Sequence, residues 1–419
     1  MKSTAEQRRA SASDSRAESA GAKRVPLGED LAAELEYIHE RGLYRHLRRV
    51  ESAQGPEVTI DGRRCLLLCS NNYLGLASHP EVVAAAQRAI AEWGTSAVSS
   101  RLISGHMTPH AALEERIARW KGCERALVFS TGYHANVGVI STLASRGDLI
   151  LSDELNHASI IDGCRLSRAE TAVYRHCDTD HLRELLAGQA ARRARRTIVV
   201  TESVFSMDGD RAPLADIVAA AREFGAEVMV DEAHAAGVIG PRGAGLAAEQ
   251  GVTDEIAVHV GTLGKALASF GAYVAGSARL IELLVNRARP FVFTTGLPPA
   301  AAAAAHAAID IAEREVERRT GLLERARSLG ERLRKAGANV PSVESQIIPV
   351  IVGTAEDAVA VARELLARGV YVAAIRPPTV PEGTSRLRVS LMATHTDEHV
   401  ERAAGAIADA LDSVLRGKR

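Results

Sequence analysis

The stretch Glu227-Val228-Met229-Val230-Asp231-Glu232-Ala233-His234 decides how the fold is read. Its apolar run is too short for a helix and breaks off at an acidic residue, as a buried strand does on leaving a sheet. Just upstream, residues 214–224 carry apolar side chains at helical spacing, and Thr197-Ile198-Val199-Val200-Thr201 is another short apolar run. Strand, helix, strand of these lengths predicts two parallel strands joined by a crossover helix. Working outward, residues 126–130, 148–151 and 171–174 also read as strands, and 133–143, 158–166 and 179–186 as helices. The alternation predicts an α/β fold, a mostly parallel sheet with helices on both faces. In such sheets ligands gather at the carboxyl ends of the strands. The polar residues that follow each apolar run are therefore the first candidates for chemistry.

The flanks differ from this centre. Residues 1–28 are mostly Ser, Ala, Arg and Glu, and a disordered tail is expected. Glu6, Asp14 and Glu18 count against a transit peptide. Residues 29–70 predict a helix ending near Gly42 and a hairpin of 58–60 with 65–69, turned at Asp61-Gly62. Residues 71–297 form the expected large α/β domain. Residues 298–419 predict a long linking helix over 300–334 and a small α+β domain. The chain has 419 residues, 46% hydrophobic and 25% charged, which excludes a wholly disordered protein. Lys+Arg 51 against Asp+Glu 52 leaves a net charge of -1, no footprint for nucleic acid or a membrane surface. Five cysteines at irregular spacing read as reduced thiols of a cytoplasmic protein, without metal-ligand spacing. No apolar run reaches the ~18 residues of a membrane span.

Three places carry chemistry. The first is Asp231 with His234. The string Asp231-Glu232-Ala233-His234 suggests a nucleic-acid-dependent ATPase, but the phosphate loop that such an enzyme needs is missing. Gly264-Lys265-Ala266 has His259 where that loop has Gly, and no Ser or Thr follows the Lys. The plainer reading is an Asp capping a loop. The second is Lys265, between small residues after an apolar run. Only six lysines occur, at 2, 23, 121, 265, 335 and 418, so an amine here asks for a reason. Burial would make it nucleophilic, able to form a Schiff base; the plainer reading is a snorkelling surface Lys. The third is Ser130-Thr131-Gly132-Tyr133, where a strand ends and a helix begins. Free N–H groups at such a start cradle phosphate, though a simple N-cap explains the same residues. Gly243-x-Gly245-x-x-Ala248 is a weaker phosphate-loop candidate, since no strand runs into it. One cofactor, pyridoxal 5'-phosphate (PLP), wants an amine, a carboxylate for its ring nitrogen and a phosphate cradle together. His157 could stack on its ring.

The chain resembles the α-oxoamine synthases. The likeness rests on Ser70-Asn71-Asn72-Tyr73-Leu74-Gly75-Leu76, Asp153-Glu154-Leu155-Asn156-His157-Ala158-Ser159, Thr201-Glu202-Ser203-Val204-Phe205-Ser206-Met207-Asp208-Gly209-Asp210 and the segments around Asp231 and Lys265. It runs from about Leu35 to the C-terminus. It implies a fold type I PLP transferase: a large domain with a mostly parallel seven-stranded sheet, and a small C-terminal α+β domain. It also implies that Lys265 is the Schiff-base lysine and Asp231 the partner of the ring nitrogen. His234 and Ser206 would reach the phenolic oxygen, and His157 would stack. Gly132, Tyr133 and Thr262 would hold the phosphate, with Thr295 from the other subunit of a homodimer. Asn71 and Arg376 would lie near an amino-acid carboxylate, Thr379 near an acyl substrate, and Arg45 matches an N-terminal substrate-contacting Arg. Many relatives are Gly-rich where this chain has Gly94-Thr95-Ser96-Ala97-Val98-Ser99-Ser100-Arg101, and their Glu-Gly pair is Glu202-Ser203 here.

The activity so implied is decarboxylative condensation of an amino acid with an acyl thioester, carried on CoA or an acyl carrier protein. Residues 375–384 and 293–299 bring the chain nearest to members that join L-alanine to a pimeloyl chain. Glycine with acetyl-CoA is the alternative. A PLP-binding protein without turnover is disfavoured because Lys265, Asp231 and His157 are all present.

Overall fold

The structure, a computed structural model, describes residues 27–416. The tail expected over 1–28 lies almost wholly outside the described residues. Contacts divide the chain after Leu47. The first unit holds a helix, Leu27–Glu40. The His39 ring stacks on Tyr44 with centroids 3.9 Å apart.

The second unit opens with β1 (Glu57–Ile60) and β2 (Arg63–Leu67), an antiparallel hairpin. Its turn places Asp61 at φ 51° and Gly62 at φ 73°. Two left-handed residues in a row make the turn twist with the strands, which is why an Asp-Gly pair sits there.

Seven strands then build the central sheet: β3 (Arg125–Phe129), β4 (Leu149–Asp153), β5 (Glu170–Tyr174), β6 (Thr197–Glu202), β7 (Glu227–Asp231), β8 (Val258–Thr262) and β9 (Ala272–Gly276). Their order is β3-β9-β8-β7-β6-β4-β5, and only β9 runs against its neighbours. Both faces are covered. Leu149, Leu151, Val199, Val228 and Val230 pack into one core, and Ile150, Ile198, Val200 and Met229 into another. Side chains alternate across a strand, so a continuous apolar run feeds both layers. Each such Val, Leu or Ile contributes about 1.5–3 kcal/mol on burial.

The C-terminal part adds β10 (Ile347–Gly353), β11 (Val370–Tyr371), β12 (Ala373–Ile375) and β13 (Ser385–Ser390). A three-stranded sheet forms in the order β10-β13-β12, while β11 pairs in parallel with β2. Helices Ala355–Ala367 and Asp397–Leu415 accompany it, N-capped by the Thr354 and Thr396 hydroxyls.

The single helix expected over 300–334 is two, Pro299–Arg314 and Val316–Lys335, broken at Glu315 (φ −97°, ψ 76°). The break leaves the Ala312 carbonyl without its helical partner. The buried Arg319 guanidinium takes it from Nε at 3.0 Å and reaches Gly240 O from Nη1 at 2.8 Å. A charged donor with several N–H groups satisfies an end that would otherwise be costly to bury.

Candidate active site

Neighbouring parallel strands end on one rim with Asp153, Glu202, Asp231 and Thr262. Glu202 and Asp231 are direct cross-strand partners. After β3 the helix Gly132–Leu143 starts at the same rim, since Phe129 and Thr262 both pair with Ala272. Thr131 Oγ1 accepts the His134 N–H at 3.1 Å. The cap uses only that donor, so the Gly132 and Tyr133 N–H groups point out of the helix start.

Lys265 stands in the loop between β8 and β9. Its Nζ is 2.7 Å from His234 Nε2, and His234 Nδ1 is 2.7 Å from the Tyr73 hydroxyl. Tyr73 Oη donates to Asn71 Oδ1 at 2.9 Å and accepts from Arg388 Nη2 at 3.2 Å. Arg388 also donates to the Ser206 carbonyl through Nε. Burial pushes the Lys265 amine down to about 8; Asp231 and Glu202 oppose this and Arg388 adds to it. Burial, then the charges of Lys265 and Arg388, hold the His234 ring far below the usual range, so it is neutral.

Asp231 is held from two sides. Oδ2 accepts from Asn136 Nδ2 at 2.7 Å, and Oδ1 from the Ala233 N–H at 2.9 Å. It does cap a loop, as the plainer reading of the sequence expects. It also faces charge: its carboxylate raises the proton affinity of both Lys265 and His157. His157 caps the helix Ala158–Ser167, with its Nδ1 3.3 Å from Ser159 N. Its own N–H donates to Glu202 Oε1 at 2.6 Å. Burial lowers the His157 ring's proton affinity. Burial, joined by the Asp231 charge, raises Glu202 to about 8. Thr262 Oγ1 donates to Gly271 O and accepts from Gly264 N, both at 3.2 Å.

Lys265, His234, Asp231, His157, Thr262, Asn71 and Ser206 are thus linked by contact or charge, or share the rim. Thr295 is exposed and its main chain bridges to Ser100. Arg376 and Thr379 lie on the loop after β12, half-buried and exposed. Arg45 is exposed in the N-terminal unit. Sequence reasoning passed over Tyr73, Asn136 and Arg388. No local signal marks Arg388: Ser385-Arg386-Leu387-Arg388-Val389-Ser390 carries two Arg in a short run, yet all six residues are buried in the fold.

Two other sequence features find structural explanations. Lys121 is fully buried and pairs with Glu232 and the Ala244 carbonyl. A Cβ on Gly245 would overlap the Glu232 carboxylate, and Gly245 adopts φ 113°. The Gly243-x-Gly245 run is therefore built around an ion pair, not a phosphate. Burial alone would raise Glu232, but the Lys121 ammonium and His259 outweigh it and hold it down to about 2. Lys121→Met should cost ~3–5 kcal/mol in denaturant unfolding, because it strands a buried carboxylate. The depressed folded pKa contributes stability that is complete above the unfolded value of ~4.3 and is lost as pH falls toward 2. That acid-side slope should shrink in Glu232→Gln.

These residues fit PLP. A nucleophilic amine, a held carboxylate and an open helix start share one rim. Apart from its chain neighbours and its own helix backbone, no described atom lies within 4 Å of where a Cβ on Gly132 would stand, which leaves room for a phosphate to approach the backbone. Comparison with known proteins agrees. The family model described as aminotransferase class I and II matches residues 63–407. The 8-amino-7-oxononanoate synthase of Anaeromyxobacter dehalogenans is 54% identical over 381 residues, 91% of this chain and 95% of that protein. The enzyme of the same name from Geobacter sulfurreducens is 52% identical over 380 residues, 90% and 97%. A solved structure of Sphingomonas wittichii serine palmitoyltransferase has a TM-score of 0.87 at 37% identity, covering 92% of this chain and 97% of that one. With the Lys265 rim and seven-stranded sheet as its frame, the chain belongs to the class I and II aminotransferase family, in its α-oxoamine synthase branch.

Proposed function

We propose that this protein is an 8-amino-7-oxononanoate synthase. It is a PLP-dependent acyltransferase that condenses L-alanine with a pimeloyl thioester, releasing carbon dioxide and free thiol for biotin synthesis. The observation that carries this reading is the pairing of Lys265 with neutral His234 on the Asp231 rim, in a chain over half identical to proteins of that name. Bound PLP supplies an aldehyde for the amino acid's amine and an electron-poor ring that stabilises negative charge at Cα. Asp231 would hold a proton on the ring nitrogen, and Asn136 keeps that carboxylate aimed. His234 and Ser206 would hydrogen-bond the phenolic oxygen, and His157 would cover one ring face. Gly132, Tyr133 and Thr262, with the partner subunit's Thr295, would hold the phosphate. Lys265 Nζ, with its proton affinity lowered, takes the Cα proton.

Arg376, Asn71 and the buried Arg388 would bind the amino-acid carboxylate, and Thr379 would meet the acyl thioester. The assembly is a cytoplasmic homodimer with sites at its interface. Among the described residues no helix is long and apolar enough to cross a membrane. The carrier is CoA or an acyl carrier protein.

The test is thiol release with alanine, glycine and serine crossed against acetyl, long-chain and dicarboxylic acyl thioesters. Alanine with the pimeloyl thioester should be fastest; glycine with acetyl-CoA fastest would overturn the substrate assignment. A pimeloyl chain ends in a carboxylate, which Arg45 would meet. Arg45→Ala should raise KM for the pimeloyl substrate about 10-fold or more and leave a neutral acyl chain of equal length nearly unchanged.

A further inference from the structure

His176 follows β5 and lies outside the Lys265 chain, with its ring between two carboxylates. Nδ1 is 2.9 Å from Asp153 Oδ1, and Nε2 is 2.7 Å from Asp210 Oδ2. Ionised carboxylates only accept, so both ring nitrogens donate and the ring is an imidazolium. Burial works against that charge, but the bonds to Asp153 and Asp210 outweigh it and push the pKa up to about 12. Cys177 Sγ is 3.7 Å from Nε2, and Asp153, His176 and Cys177 bring ligand atoms together. A metal ion would have to displace a proton held that tightly, so the cluster is an ion triad.

The triad joins two loops. Asp153 ends β4 and starts the loop that carries His157. Its carboxylate also accepts from the Leu155 and Cys177 N–H groups, each at 2.9 Å. Asp210 closes the loop that leaves β6 and carries Ser206, and its carbonyl accepts from Phe205 N at 3.1 Å. The His176 ring meets Phe205 edge-on, centroids 4.3 Å apart and planes at 89°. β4 and β6 are neighbours in the sheet. Other anchors work closer to the strand or to the small domain: Glu202 takes the His157 N–H, and Arg386 pairs with Asp208.

We propose that His176 is a positioning residue whose imidazolium sets the spacing between the His157 loop and the Ser206 loop, and so the width of the slot that would grip the PLP ring. The proposal rests on the cofactor reading above. It predicts that the two loops loosen together and the cofactor is held less well when the charge is removed.

The experiment compares wild type, His176→Gln and Asp210→Asn. Amide hydrogen exchange is followed over residues 153–159 and 203–211 in apoenzyme. PLP release and visible circular dichroism are followed in holoenzyme. Loss of a charge-assisted bond predicts roughly 10-fold faster PLP release in His176→Gln and a weaker dichroic band. Exchange should quicken in both segments, and Asp210→Asn should show the same changes more weakly. If His176→Gln folds poorly, Asp210→Asn gives the same readings. Unchanged PLP release and dichroism, or exchange that quickens in one segment alone, would overturn the proposal. Failure of wild type to bind PLP would instead overturn the cofactor reading.

Discussion

Lys265→Ala should abolish turnover, by roughly 10⁴-fold or more, in a protein that still folds and still takes up PLP. The substitution removes the nucleophile and the base at once, and base catalysis alone is worth about 10²–10⁴-fold. The other lysines in the large domain and linking helices cannot take over. Lys121 is locked against Glu232, and Lys335 is exposed at the end of the helix Val316–Lys335. Borohydride reduction of wild type, then peptide mapping, should place the cofactor on Lys265. A label on Lys121 or Lys335, or a variant within 10-fold of wild type, would refute the assignment.

Asp231→Asn should lower kcat by about 10³-fold with little loss of fold. The carboxamide keeps the shape and can still accept the Ala233 N–H, but it cannot hold a proton on the ring nitrogen by charge. Fixed charge placed where charge develops is commonly worth 10²–10³-fold or more per group. A second effect adds to it. The Asp231 charge raises the proton affinity of Lys265, so its removal should lower the amine's pKa further and move the pH–rate profile toward acid. Steady-state kinetics across pH on the reconstituted variant measures both. Near-normal turnover would rule out this role for Asp231.

The strands at 197 and 227 were legible because uninterrupted apolar runs are what a doubly covered parallel sheet requires. Their last residues, Glu202 and Asp231, fell outside the expected bounds because polarity reads locally as loop, although both still pair across the sheet. The helix break at Glu315 was hidden. Nothing near Glu315 breaks a helical pattern, and the buried Arg319 bonds that accompany the break reach back to Gly240 as well as Ala312. Arg388 was hidden for a similar reason. Arg386 and Arg388 alternate with Leu387 and Val389 along β13 as in a strand with one solvent-facing side, and the burial of Arg388 depends on acceptors from Ser206, Asn71 and Tyr73.

By itself the sequence determined where the apolar strand runs lie and which chemical groups follow them. Apolar run length and residue type are local properties, readable without knowing neighbours. Lys265, Asp231 and His157 could be named on that basis. Only the tertiary structure decided which groups meet. Tyr73 is 161 positions from His234, and Arg388 is 315 positions from Tyr73, yet they form one hydrogen-bonded chain ending at Lys265. It also decided what each lysine is. Lys121 and Lys265 have the same side chain. Lys121 packs against the Glu232 carboxylate in a buried ion pair. Lys265 is set beside a neutral imidazole, where lost hydration outweighs the attraction of Asp231 and Glu202. The proton on an amine follows the water removed and the charges brought near, and packing alone sets both.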